Sequence, residues 1–155
     1  MRRTMSRRAS LTALASAGAA TGAAAQAQTA PPAQEKIVYH LNQPGGEEFR
    51  YYRQFIRNLS NHVSVMPRSG FDLRVVMHGE GLGLLRRAAR ADPQIQAAID
   101  ELKLAGLRFE ICRITLQLGN IRLDELYDAQ EDDLVPSGVA QLAHLQQQGF
   151  AYIKI

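Results

Sequence analysis

Short runs of β-branched and aromatic residues alternate with helical segments from residue 36 to the end of the chain, and this alternation limits the fold more than any other feature. The runs lie at residues 36–40, 71–77, 107–112, 134–136 and 150–155. Strands that alternate with helices predict a parallel sheet with helices on both faces. We therefore expect a three-layer α/β/α sandwich with a mainly parallel sheet of about five strands.

The helical segments carry recognisable start and stop signals. Asp92 before Pro93 is typical of an N-cap followed by proline at the first helical position, and Gly106 is a suitable stop. In the last helix, which Ser137 caps, we expect Val139, Leu142 and Leu145 to face the core. His62 and His144 are predicted to be exposed helix residues.

A further helix is predicted from about Glu47, because its acidic first turn suits the helix dipole. Its aromatic residues form a face that is wider than a single core needs, which favours a contact between subunits. These aromatic residues are Phe49, Tyr51, Tyr52 and Phe55.

The glycine-rich stretch from Gly79 to Gly83 follows the second predicted strand. It resembles a phosphate-binding loop only in part, since Leu84 occupies the place of the third glycine of the G-x-G-x-x-G pattern. We interpret the stretch as a tight turn from strand to helix.

The first 27 residues have the three parts of an export signal: a charged start, an alanine- and glycine-rich run, and small residues at 25–27 suited to signal peptidase. Residues 6–11, SRRASL, resemble the twin-arginine motif but carry Ser10 where phenylalanine is usual. The run is too short and too weakly apolar for a membrane span. We therefore predict a periplasmic protein exported by the twin-arginine route, without a membrane span in the mature chain.

The distribution of charged residues supports the separation of an export signal from the rest of the chain. The net charge of +3 depends on Arg2, Arg3, Arg7 and Arg8, and without them 14 basic and 15 acidic side chains remain. No basic stripe interleaved with aromatic residues is left, so nucleic-acid binding is not expected. Residues 28–34 are a polar linker rich in alanine and proline, and residues 35–155 form a single predicted domain.

Cys112, the only cysteine of the chain, ends the third predicted strand where a short helical turn begins. The positive end of that turn and Arg113, next in sequence, would both favour the thiolate. One cysteine cannot form a disulfide within its own chain. Cys112 is therefore reactive, paired between chains, or a small buried hydrophobic residue.

Two histidines occupy the same kind of position as Cys112. His40 and His78 each fall at the C-terminal end of a predicted strand, and ligands of parallel sheets bind beyond those ends. If the strands are neighbours, the three side chains share one crevice and form a candidate catalytic site. Its rim would carry candidate ligand-binding residues, which are Asn42, Gly79, Glu80 and Arg113.

The segments VYHLN, VVMHGEGLGLL, AGLRFEICRITL and VPSGVAQLAHLQQQGFAYIKI together resemble the DsrE/DsrF-like family, which includes sulfur-relay proteins. The resemblance spans nearly all of residues 36–155. It implies a flavodoxin-like α/β/α fold, homotrimers or homohexamers, and a cysteine that carries sulfur as a persulfide, a position that Cys112 matches.

The leading hypothesis is a sulfur carrier in which Cys112 exchanges sulfur with donor and acceptor proteins, and His78 or His40 assists proton transfer. At most this is a sulfurtransferase activity, and it needs no cofactor. A second hypothesis is an oligomeric binding module without catalysis, in which His40, His78 and Cys112 line a small-ligand pocket or bind a soft metal ion. A third is an oligomeric protein whose cysteine is inert.

Overall fold

The structure is a computed structural model that describes residues 35–66 and 70–155. The predicted export signal and the linker at 28–34 lie outside these residues. The strands are β1 Glu35–Leu41, β2 Phe71–Met77, β3 Arg108–Cys112, β4 Leu134–Val135 and β5 Ala151–Lys154. The α-helices are α1 Arg50–Val65, α2 Ala89–Ala91, α3 Pro93–Leu104, α4 Arg113–Leu118 and α5 Gly138–Gln147.

The five strands form one parallel sheet in the order β4-β3-β2-β1-β5. This confirms the predicted α/β fold and the predicted number of strands. Strand β5 pairs with β1 on the side away from β2, so the last described strand lies beside the first described strand. The C-terminal ends of β1, β2 and β3 are therefore adjacent along one edge.

The larger core lies on the face of the sheet that α1 and α3 cover. Ile37, Tyr39 and Leu41 of β1 point into it, as the alternation of a strand requires. Tyr52 and Phe55 of α1 are completely buried there.

The remaining two aromatic residues of α1 and the turn before it, Phe49 and Tyr51, are partly buried and pack against the same core. The aromatic face that we expected to be left over for a second subunit is thus used within the chain. Phe49 and Tyr51 keep part of their surface exposed, so the predicted contact between subunits stays a prediction.

Helix α5 packs on the opposite face of the sheet. Leu142 and Leu145 form a small core there with Val38, Val76 and Phe150. Val139 does not join it, contrary to expectation, because its side chain is 65% exposed at the first turn of the helix.

Two local predictions about helices have different outcomes. The carboxylate of Asp92 accepts hydrogen bonds from the backbone N–H groups of Gln94 and Ile95, which confirms it as the N-cap of α3. Helix α1, in contrast, begins at Arg50 rather than at Glu47. Glu48 and Phe49 have φ angles of 47° and 59°, and this left-handed backbone cannot continue into a right-handed helix.

The glycine-rich stretch after β2 forms a 3₁₀ turn at Gly79–Leu82 followed by a π-helical turn at Leu84–Ala88. A Cβ atom on Gly81 would overlap the carbonyl oxygen of Leu41. A Cβ atom on Gly83 would lie 2.5 Å from the hydroxyl oxygen of Tyr52. These glycines allow the turn to pack directly against the end of β1 and against α1, as expected for a tight turn.

Two remaining expectations concern membrane contact and histidine exposure. Across residues 35–66 and 70–155, no helix has the length and apolar character needed to cross a membrane. His144 is exposed as expected. His62 is instead half-buried, and its Nδ1 shares a hydrogen bond with the hydroxyl of Tyr39.

Candidate functional site

The three predicted catalytic residues lie at one edge of the sheet. His40 is the penultimate residue of β1, His78 directly follows β2, and Cys112 ends β3. Since these strands are neighbours in the sheet, the condition for a shared crevice is met.

Gly138, the first residue of α5, lies between His78 and Cys112. A Cβ atom added to Gly138 would lie 3.0 Å from the Cβ of His78 and 3.3 Å from the Cβ of Cys112. The two side chains therefore flank the same point, and α5 reaches it because Gly138 has no side chain. Ser137 fixes this end of the helix by accepting a hydrogen bond from the N–H of Ala140.

Several hydrogen-bond donors lie near the sulfur of Cys112 although the residue is only 4% exposed. Burial raises the pKa of the thiol, but hydrogen bonds from the Thr115 hydroxyl and from the backbone N–H groups of Gly138, Thr115 and Ile114 outweigh it. The net effect is a pKa below the ordinary value of a thiol. The site thus favours the thiolate, which is the reactive form of cysteine.

The Thr115 hydroxyl is held in the orientation that this requires. Its oxygen accepts a hydrogen bond of 3.0 Å from the backbone N–H of Gly79. With one lone pair so occupied, the hydroxyl proton remains free to point at the sulfur of Cys112. The turn after β2 therefore contributes indirectly to the stability of the thiolate.

The two histidines form a hydrogen-bonded pair. Their Nε2 atoms are 2.7 Å apart and their rings are stacked with centroids 4.8 Å apart. Burial, the charge of Lys154 and the neighbouring His78 lower the pKa of His40 to about 4. Burial and Lys154 also lower the pKa of His78. The pair is therefore uncharged near neutral pH.

Strand β5 supplies two residues that the sequence analysis did not single out. The hydroxyl of Tyr152 shares a hydrogen bond of 2.7 Å with Nδ1 of His40. Lys154 pairs with His40 in the register of β1 and β5. Its ammonium group donates a hydrogen bond to the side-chain oxygen of Asn42. Because side chains alternate along a strand, Tyr152 and Lys154 lie on the same face of β5. They reach His40 only because β5 lies beside β1 in the sheet.

The predicted rim residues divide into two groups. Asn42 and Gly79 are part of the site, through Lys154 and Thr115 respectively. The charged groups of the other two have partners of their own: the carboxylate of Glu80 lies 3.8 Å from Arg87, and the guanidinium of Arg113 lies 3.5 Å from Glu131. The described donors to the thiolate are thus those of Thr115, Gly138 and Ile114.

A soft metal site was one of the predicted alternatives. Within the part of the chain that the structure describes, no group of three or more histidine, cysteine, aspartate or glutamate side chains is arranged to hold a metal ion. The Nε2 atoms of His40 and His78 bind each other instead.

The model of the DsrE/DsrF-like family matches residues 18–155. Among solved structures, the protein of unknown function MTH1491 from Methanobacterium thermoautotrophicum is similar at 27% identity and a TM-score of 0.62, with 79% of this chain and 100% of that chain covered. The ychN protein from E. coli is similar in fold at 19% identity and a TM-score of 0.54, with the same coverage. No curated protein matches significantly.

Proposed function

The chain belongs to the DsrE/DsrF-like family, and from this premise we propose that it is a sulfur carrier whose Cys112 accepts sulfane sulfur as a persulfide and passes it to a partner thiol. The observation that supports the proposal most is the set of hydrogen-bond donors around the Cys112 sulfur, which favours a thiolate in a nearly buried position. Structural cysteines need no such donors, since they pack as neutral hydrophobic groups.

The proposed reaction is balanced without an oxidant. The Cys112 thiolate attacks the outer sulfur of a donor persulfide, the S–S bond of the donor breaks, and the donor leaves as a thiol after it takes up one proton. The product is a persulfide on Cys112. A second attack by an acceptor thiol on the outer sulfur reverses these events and restores the Cys112 thiol.

The sequence fits a sulfur carrier better than an enzyme that reduces the bound sulfur to sulfide. Release of the sulfur as sulfide would require a second thiol to form a disulfide with Cys112. The sequence has a single cysteine, so that thiol would have to come from another molecule. A donor and an acceptor protein are therefore the partners that the proposal requires.

Export to the periplasm and assembly into homotrimers or homohexamers are part of the proposal. Export is supported by the composition of residues 1–27. Mass spectrometry of the chain from a periplasmic fraction tests it, since the mature protein should begin near residue 28. Assembly is supported by the family alone, and a monomeric mass in light scattering at micromolar concentration would contradict it.

Intact mass spectrometry tests the proposed chemistry. After incubation with polysulfide, the wild-type chain should gain one sulfur atom, and a reducing thiol should remove it. Cys112→Ser should gain none while its oligomeric state and thermal stability stay close to those of the wild type.

A wild-type protein that gains no sulfur would contradict the proposal. If Cys112→Ser were then also less stable by about 1–3 kcal/mol, because its hydroxyl is buried without adequate partners, Cys112 would be an inert core residue.

A further inference from the structure

A chain of two consecutive hydrogen bonds joins Tyr152 at the protein surface to His40 and His40 to His78. The Tyr152 hydroxyl is 2.7 Å from Nδ1 of His40, and Nε2 of His40 is 2.7 Å from Nε2 of His78. His78 in turn flanks Cys112 at the point that Gly138 occupies. The outer end of this chain is open to solvent, since Tyr152 is 42% exposed.

Two proton arrangements satisfy every hydrogen bond in this chain. In the first, Tyr152 donates to Nδ1 of His40, whose Nε2–H donates to His78 and leaves the proton of His78 on Nδ1. In the second, each donor and acceptor exchange roles, so that His78 donates to His40 and His40 donates to Tyr152. A shift from one arrangement to the other moves one proton along the chain without leaving a charge on either ring.

Both arrangements require that the imidazole rings of His40 and His78 are uncharged, and the environment of the rings favours that state. A doubly protonated ring has no lone pair to accept the bond from its neighbour. Burial, Lys154 and the neighbouring ring hold His40 in its neutral form near neutral pH. At the inner end, Nδ1 of His78 has no hydrogen-bond partner among the described residues, and the relay requires that this atom exchanges a proton with the molecule at Cys112.

We propose that Tyr152, His40 and His78 are a proton relay that takes up the Cys112 thiol proton and returns a proton to the thiol that leaves the donor. This inference rests on the proposed function and assigns to Tyr152 a role in it. When the leaving thiolate takes the proton of His78 Nδ1, His78 receives one from His40, His40 receives one from Tyr152, and Tyr152 receives one from water. The charges balance, because each exchange begins with the loss of the thiol proton and ends with the protonation of the leaving thiolate.

Disulfide probes test the relay with a chemistry that needs no sulfur donor. Cys112 attacks a disulfide in the same way, and the leaving group can be chosen. Hydroxyethyl disulfide releases a basic alkyl thiolate that must be protonated, whereas dithiodipyridine releases a group that leaves without protonation. Tyr152→Phe removes only the hydroxyl, and Tyr51→Phe is the matched control because its hydroxyl donates to Ile155, next to β5 but outside the relay.

We expect Tyr152→Phe to slow the reaction with hydroxyethyl disulfide by at least about tenfold. This factor is smaller than the usual rate contribution of general acid–base catalysis, because water can replace part of the relay. Its reaction with dithiodipyridine should stay close to that of the wild type, because the Cys112 thiol ionises in a fast equilibrium before the attack and this leaving group needs no proton. Tyr51→Phe should behave as the wild type with both probes.

Equal rates of Tyr152→Phe and wild type with both probes, or equal losses with both, would overturn the relay and leave the persulfide proposal intact. A wild-type protein that gains no sulfur from polysulfide would instead overturn the proposed function. A Cys112 that reacts with neither disulfide would overturn the relay as well.

Discussion

Replacement of Thr115 by valine is the most informative single change at the thiol. Valine keeps the shape of the side chain but removes the hydroxyl that donates to the Cys112 sulfur. A hydrogen bond to a charged acceptor contributes about 1.5–3 kcal/mol, and about 1.4 kcal/mol corresponds to a factor of ten. The thiolate fraction should therefore fall about ten- to hundredfold wherever the thiol is mostly protonated in both proteins.

The observed rate should fall less than the thiolate fraction. A more basic thiolate is a better nucleophile, with a Brønsted coefficient of about 0.4–0.5, so about half of the loss is recovered on a logarithmic scale. The rate with dithiodipyridine should thus be about three- to tenfold lower at low pH. Well above both thiol pKa values the order should reverse, because only the difference in nucleophilicity remains.

Measurement of that rate from acidic to alkaline pH checks the prediction. Thr115→Ser is the control, since it keeps the hydroxyl that accepts from Gly79 and donates to the sulfur. Superimposable profiles for the wild type and Thr115→Val would refute the role of this donor. A serine variant as slow as the valine variant would show that packing, and not the hydroxyl, controls the reaction.

Two other predictions concern the helix beside the site and the histidine pair. Gly138→Ala should slow the reaction of Cys112 with disulfides, because a Cβ atom 3.0 Å from His78 pushes α5 and its N–H donor away from the sulfur, whereas Val139→Ala on the exposed side should not. The free energy of unfolding should fall as the pH drops from about 6.5 toward about 4, because His40 takes up a proton more readily in the unfolded chain than in the folded one. Urea titrations of the wild type and His40→Gln should show a weaker dependence in the variant, and identical dependences would contradict this explanation.

The sequence predicts the parts of the site that depend on local patterns. His40, His78 and Cys112 could be placed at strand ends because each follows a run of β-branched or alternating residues. The crowded glycines at 81 and 83 could likewise be interpreted as a tight turn.

Parts of the site that depend on tertiary contacts could not be predicted. Tyr152 and Lys154 reach His40 only because β5 pairs with β1, at a separation of more than a hundred residues. Gly138 is important because of what α5 packs against, which a helical pattern does not encode. The same limit explains Val139, whose apolar side chain fits the helical period but lies in the first turn, beyond the small core under α5.

A single-turnover transfer experiment tests the central claim that Cys112 carries sulfur. The chain is loaded with polysulfide, freed of donor by gel filtration, and mixed with a low-molecular-weight thiol while the masses of both are followed. We expect the chain to lose the one sulfur atom that it gained, and we expect the same sulfur to appear on the acceptor as a persulfide. A chain that gains no sulfur, or a Cys112→Ser variant that gains and transfers as much as the wild type, would contradict the account.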